Sequence, residues 1–272
     1  MKTKRMWLIT LLFVLGGTLI GCNPGKGDGG KTDEGKGDGG KGDGEKPRLS
    51  MFIAVDVSGS FVQSGYYDDA IKFLSRYIYA HLNGLGDLAG PNALFVSSLG
   101  GATADQAKPF YPIQTFERKN VDEIAQKLRE IFPRGDANPI TDFNAFFEQI
   151  ASMVRNRKLV LRPISVVMIT DGVPDVPHAQ SADYRSIQLR PLENLSRNIT
   201  VRVLYTSPDV GKNWQTRVPR SRVKVWTQDA AVMITWKDPK LYISGKALED
   251  QTNFLKWIKD NIDYGVSARR VD

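Results

Sequence analysis

Cysteine occurs once in the 272 residues, at Cys22, and histidine only twice, at His81 and His178. A single thiol excludes intramolecular disulfides, so packing alone must hold the fold together. Two histidines, neither beside a nucleophile motif, leave no base–nucleophile pair of the kind hydrolases use. A long membrane-spanning run is lacking at the N-terminus, where the apolar stretch 7–15 is well short of the roughly 20 residues a span needs. Charge of one sign is thin as well. The net charge is +7, but Lys2, Lys4 and Arg5 supply three of the positive charges, and residues 23–48 hold six bases and six acids. The rest of the chain has 28 basic against 24 acidic side chains. Spread over that length, the surplus is weak evidence for a polyanionic partner. A hydrophobic content of 41% and a charged content of 25% are ordinary for a globular protein.

The first twenty-two residues read as an export signal: a basic start, the apolar run, then small residues leading to Leu19-Ile20-Gly21-Cys22. The last four resemble a lipobox, which implies cleavage after Gly21 and diacylglycerol on Cys22. Residues 1–21 are thus expected to be a lipoprotein signal peptide, with the alternative an uncleaved anchor helix. Both readings place the remainder outside the inner membrane. Asn23 after the lipid site resembles an outer-membrane sorting signal, so the expected location is the bacterial envelope, lipid-anchored, at the outer membrane.

Residues 26–45 repeat every five positions, with Lys26, Lys31, Lys36 and Lys41 each followed two residues later by aspartate and glycine filling most other places. Nothing there can be buried, and ordering so much glycine is entropically expensive. The aspartate period does not match an EF-hand loop. Residues 22–48 are therefore expected to be a lipidated cysteine and flexible tether, with an r.m.s. span of roughly 25–30 Å.

From residue 49 onward, apolar runs alternate with helical periodicity. Runs at 50–57, 93–96, 164–170, 199–205 and 223–227 predict strands, the strongest of them covered on both faces. Tyr67, Ile71, Leu74, Ile78 and Leu82 predict a helix; so do Val121, Ile124, Leu128 and Ile131, and Phe143, Phe146, Phe147, Ile150 and Val154. Leu248, Phe254, Leu255, Ile258 and Ile262 predict a last one. This alternation predicts one α/β domain over 49–272 with a mostly parallel sheet. Residues 106–120, with Pro109 and Pro112, have no clear assignment beyond an edge-strand excursion. Ligand sites in such sheets lie beyond the carboxyl ends of the strands.

Two strand ends carry the chemistry. The first leads into Asp56-Val57-Ser58-Gly59-Ser60, and the run 164–170 leads into Asp171-Gly172. Between them, Thr141 precedes the Phe143 helix. Asp56 and Ser60 also suit turns, and Thr141 an N-cap. Their co-occurrence provides five hard oxygen donors. A DxSxS at the first strand end, a downstream threonine and an Ile-Thr-Asp-Gly strand end together resemble the metal-ion-dependent adhesion site of von Willebrand factor A domains. The resemblance spans roughly residues 49–265. It implies a Rossmann-like three-layer α/β sandwich with a divalent ion, Mg²⁺ or else Mn²⁺ or Ca²⁺. Ser58, Ser60 and Thr141 would bind that ion directly, and Asp56 and Asp171 largely through waters. Apart from the resemblance, Asp142 beside Thr141 and Asp175 near Asp171 suit the rim of the site or, as the first expectation, a structural role.

Neutral hydroxyls around Mg²⁺ leave its charge undercompensated, so a partner carboxylate can complete the shell. The expected function is a non-enzymatic, metal-dependent protein-binding or adhesion module at the envelope. The alternative is a structural subunit of an envelope or secretion assembly whose metal only stabilises the fold. Asp56-Val57-Ser58 faintly resembles a haloacid-dehalogenase phosphatase motif, but Ser58 stands where that motif needs a second aspartate. Some relatives of the fold bind nucleic acid; export argues against such a partner here. Arg222 and Lys224 alternate with Val223 and Val225 as on a solvated strand face, and the tryptophans are expected to pack rather than to bind ligand.

Overall fold

The computed structural model describes residues 48–99, 108–134, 141–174 and 182–264. The signal peptide, Cys22, the tether, Asp175 and His178 lie outside the described residues. Residues 45–272 cluster as one compact unit, and two apolar cores lie within it.

Six strands form one sheet. They are β1 (Leu49–Val55), β2 (Pro91–Ser98), β3 (Tyr111–Pro112), β4 (Ile164–Ile169), β5 (Ile199–Thr206) and β6 (Lys224–Asp229). The spatial order is β3-β2-β1-β4-β5-β6. All neighbours are parallel except β2 and β3. The helices are α1 (Gly59–Gln63), α2 (Tyr67–Leu82), α3 (Val121–Ile131), α4 (Phe143–Asn156), α5 (Arg190–Glu193), α6 (Pro208–Arg217), α7 (Ala230–Met233) and α8 (Thr252–Asn261).

Every residue of β1, β4 and β5 is buried, as their unbroken apolar runs require of strands covered on both faces. The period of two divides β1 between two layers. Met51, Ile53 and Val55 join the core built by α2, α3 and α8, whereas Phe52 and Ala54 join the core built by α4 and α6. The outcome is the expected three-layer α/β sandwich with a mostly parallel sheet.

Three expectations change in detail. The segment 248–262 is not one helix: a single 3₁₀ turn, Leu248–Asp250, precedes α8. Between them Gln251 is non-helical (φ −82°, ψ 58°), and its buried side chain accepts from the Ile243 N–H and donates to the Ile243 and Lys246 carbonyls. The helix α6 gave no apolar period because only Gly211 and Trp214 on it are buried; Ser207 caps it through the Val210 N–H, and Pro208 opens it. The unassigned stretch contributes the two-residue edge strand β3, then Asn120, which opens α3 with a capping box to Glu123.

Among the described residues no helix is long and apolar enough to cross a membrane.

Candidate metal centre

The carboxyl end of β1 is tied to that of β4. The Asp56 N–H donates to the Ile169 carbonyl at 2.8 Å, and the Thr170 N–H to the Leu204 carbonyl at 3.1 Å. Asp56 and Thr170 therefore leave the sheet side by side. The Asp56 side chain is fully buried, and each of its oxygens has a donor. Oδ1 accepts the Ser58 N–H at 2.8 Å, and Oδ2 accepts the Thr170 hydroxyl at 2.5 Å. Burial nevertheless pushes the Asp56 carboxyl up to about 6, against the pull of those donors, and the nearby Asp171 adds to the rise. A buried carboxylate in that condition gains from a cation beside it.

The hydroxyls follow. Ser58 is buried and Ser60 exposed, with their Oγ atoms 3.1 Å apart. The two hydroxyls are hydrogen-bonded to each other, and their separation is also compatible with two cis ligands of an octahedral ion with bonds of about 2.1 Å. Thr141 is buried immediately before α4. It is not the N-cap of that helix: Asp142 is, through the Ala145 N–H at 2.9 Å. That leaves the structural task to Asp142. Among the described residues no trio of His, Cys, Asp or Glu gathers into a metal-holding group, so an ion here would rest on hydroxyls as well as carboxylates. Oxygen-only donors suit Mg²⁺, Mn²⁺ or Ca²⁺ rather than thiophilic metals.

Asp171 is half-buried, and its Oδ1 accepts the Val173 N–H at 3.1 Å. Gly172 follows with φ +77°, and a Cβ there would stand 3.0 Å from both Trp214 Nε1 and Val210 Cγ1. Glycine is thus required on both conformational and steric grounds. The Trp214 indole N–H donates to the Gly172 carbonyl at 2.7 Å, so a fully buried side chain from α6 props the turn that carries Asp171.

Three participants escaped the sequence reading of the site. Thr170 joins the two strand ends, donating to Asp56 while accepting the Gly172 N–H at 2.9 Å; its place beside Asp171 was the available signal. Trp214 was expected only to pack. Lys108, nine-tenths buried, donates to the Leu99 carbonyl at 2.6 Å. Burial lowers its pKa, while Asp142 and Asp56 pull it upward. Lys108 thus feels the charge of Asp56 at the end of β1 and of Asp142 at the start of α4. Nothing local marks this lysine, because its approach is purely tertiary.

His81 is buried on α2, between the Ala89 carbonyl (2.9 Å from Nδ1) and Asp263 (3.0 Å from Nε2). It is a structural residue.

No family model matches the chain, and no curated protein does. Among solved structures it is similar to the manganese-loaded TRAP protein of Plasmodium vivax, at 16% identity and TM-score 0.44, over 70% of this chain and 72% of that one. It is also similar to proximal thread matrix protein 1 from mussel byssus, with a zinc-occupied MIDAS motif, at 15% identity and TM-score 0.43, over 77% and 46%. A third is the pilus adhesin SpaC of Lactobacillus rhamnosus GG, at 10% identity and TM-score 0.45, over 78% and 31%. The chain thus spans less than half the length of the second and third.

Proposed function

We propose that this chain is a non-enzymatic protein-binding module in which Asp56, Ser58, Ser60, Thr141 and Asp171 hold a divalent ion of the Mg²⁺ type. The observation that carries this reading is the junction of β1 and β4. There a fully buried carboxylate, Asp56, accepts from Ser58 and Thr170, beside two hydroxyls 3.1 Å apart. A bound ion of this kind would supply an open coordination position that takes a carboxylate oxygen from a partner in place of a water.

The chain's own residues set the terms of that capture. Ser58 and Ser60 offer neutral oxygens, so they add no negative charge to compete with an incoming acid. Thr170 holds Asp56 in one orientation, and Trp214 holds the Gly172 turn and with it Asp171. In the proposed setting the module is an exported lipoprotein, attached through Cys22, with the tether of residues 22–48 between the lipid and the domain. Its partner is a protein with an exposed acidic side chain.

The test is titration calorimetry of residues 45–272 with Mg²⁺, followed by capture from envelope extract in Mg²⁺ and in EDTA. The expected result is one metal site, absent from Asp56→Ala, and a partner retained only by the metal-loaded wild type. No metal binding by a folded wild type, or equal capture in EDTA, would overturn the proposal. Equal capture in EDTA by a protein that does bind metal would leave the scaffold role with a stabilising ion.

A further inference from the structure

The parallel sheet starts its strands at one end and finishes them, at Asp56 and Thr170, at the other. Ser50 stands opposite Ile164, Ile164 opposite Ile199 and Thr200 opposite Lys224. The starting end therefore collects the entry of the chain before β1, the α4–β4 turn and the starts of β5 and β6. The contact is direct: the Ser50 N–H donates to the Pro163 carbonyl at 2.9 Å.

That α4–β4 turn, residues 157–163, has two unusual features. Leu161 is 76% exposed and Val160 is 39% exposed. Leu161 also adopts φ +69°, and Lys158 φ +56°, a conformation that glycine or asparagine takes at less cost. The turn is nonetheless held firmly. The Leu161 N–H donates to the Leu195 carbonyl at 2.7 Å, the Leu159 N–H to the Val154 carbonyl at 2.9 Å and the Lys158 N–H to the Arg155 carbonyl at 3.1 Å. Leu159 is buried beneath it. A fixed backbone thus presents two apolar side chains to solvent.

Cations share this end of the sheet. Arg157 and Lys158 are exposed on the turn itself, with Arg162 half-buried beside Pro163. Arg197 precedes β5, and Arg222 and Lys224 stand at the start of β6, all exposed. Among the described residues none of these six forms an ion pair. The acidic side chains of the α2–β2 connection, of α8 and the residues after it, and of α5 have partners of their own. Asp87 pairs with Lys259, Asp260 with Lys256, Asp263 with His81, and Glu193 accepts the Ser221 N–H.

From this combination we infer that the strand-start end of the domain docks on an anionic lipid surface. Leu161 and Val160 enter the boundary between headgroups and acyl chains, and the bases of this end meet lipid phosphates. Apolar side chains beside lysine and arginine are what an interfacial anchor needs. The preference for a membrane over a protein partner rests on the proposed lipid anchor at Cys22, since Arg48 and Leu49 enter the domain at this same end. Docking in this way would turn the Asp56 end outward. The inference stands apart from the metal reading, because it uses different residues at the opposite end.

The experiment is co-sedimentation of residues 45–272, which lack Cys22, with vesicles of phosphatidylcholine alone or with a third phosphatidylglycerol. Binding is expected only with the anionic lipid, and is expected to be lost in about 1 M salt, where screening shortens the Debye length to about 3 Å. Glycine accepts φ +69° without strain, so Leu161→Gly should keep its melting temperature while binding vesicles several-fold more weakly. Adding Lys158→Asn and Arg157→Gln should bring the loss to at least about tenfold. An environment-sensitive dye on Leu161→Cys should shift to the blue on anionic vesicles only. Equal binding to both vesicle types, no binding to either, or unchanged binding in the triple variant would overturn the inference. So would loss in that variant of capture of an envelope protein, with vesicle binding intact.

Discussion

At the scale of single residues, the hydroxyl of Thr170 has more consequence than its size suggests. It neutralises no charge, yet it donates to a fully buried carboxylate and accepts a backbone N–H, at 2.5 and 2.9 Å. Thr170→Val keeps the shape and removes both bonds, so Asp56 and the Gly172 N–H each lose a partner. The expected cost is about 2–3 kcal/mol in urea denaturation, with weaker Mg²⁺ binding by calorimetry. Asp263 offers a pH prediction. Burial pushes its carboxyl upward, but His81, Arg202 and the Tyr77 hydroxyl more than offset this and hold it below the ordinary carboxylate range. A depressed folded-state pKa contributes stability that is present above the unfolded value, near 4, and lost as pH falls through the lower folded value. Urea midpoints of the wild type should fall as pH drops below about 4. Asp263→Asn should show a shallower slope there. It should also be less stable at neutral pH by about 3 kcal/mol, since fully buried Arg202 loses its counter-charge.

At the scale of elements, the junction of β4 with its following turn depends on α6. Gly172 has no room for a methyl group against Trp214 and Val210, and Gly211 on α6 would place a Cβ 3.0 Å from the Thr227 hydroxyl of β6. Gly172→Ala adds backbone strain to this crowding, so a loss of roughly 1–3 kcal/mol in thermal or chemical denaturation is expected. Part of that loss should be recovered by Trp214→Phe, which frees space while sacrificing the bond to the Gly172 carbonyl. Such coupling is the result to look for, because distant sites would simply add. The helix α6 also shows where pattern reading stops. Its sequence Pro208-Asp209-Val210-Gly211-Lys212-Asn213-Trp214 holds a helix start but no apolar stripe, since a glycine and one tryptophan make its contact with the sheet. β1, β4 and β5 were legible because burial on both faces leaves an apolar run that no other element explains. The two-residue β3 was not, as it is too short to carry a period.

At the scale of the whole molecule, an ion held only by the folded chain must stabilise it. At a Mg²⁺ concentration a hundredfold above the dissociation constant, the gain is about 2.7 kcal/mol. Melting curves in Mg²⁺ and EDTA should separate accordingly for the wild type and coincide for Asp56→Ala. Leu161→Gly should leave that separation unchanged, because it lies at the opposite end of the sheet.

The sequence by itself determined the apolar strands and most of the amphipathic helices, the parallel α/β alternation and the residue types at the ends of β1 and β4. Each of these is encoded locally, in periodicity or in a short motif that must follow a strand. Tertiary structure alone decided which of those ends meet. It put Thr170 on Asp56, Lys108 on the Leu99 carbonyl, and Trp214 under Gly172. It also brought the turn with exposed Leu161 to the same end of the sheet as the basic residues at the starts of β5 and β6. The physical reason is common to all four: parallel strands align their like ends, so residues far apart along the chain become neighbours through register, which no local pattern records.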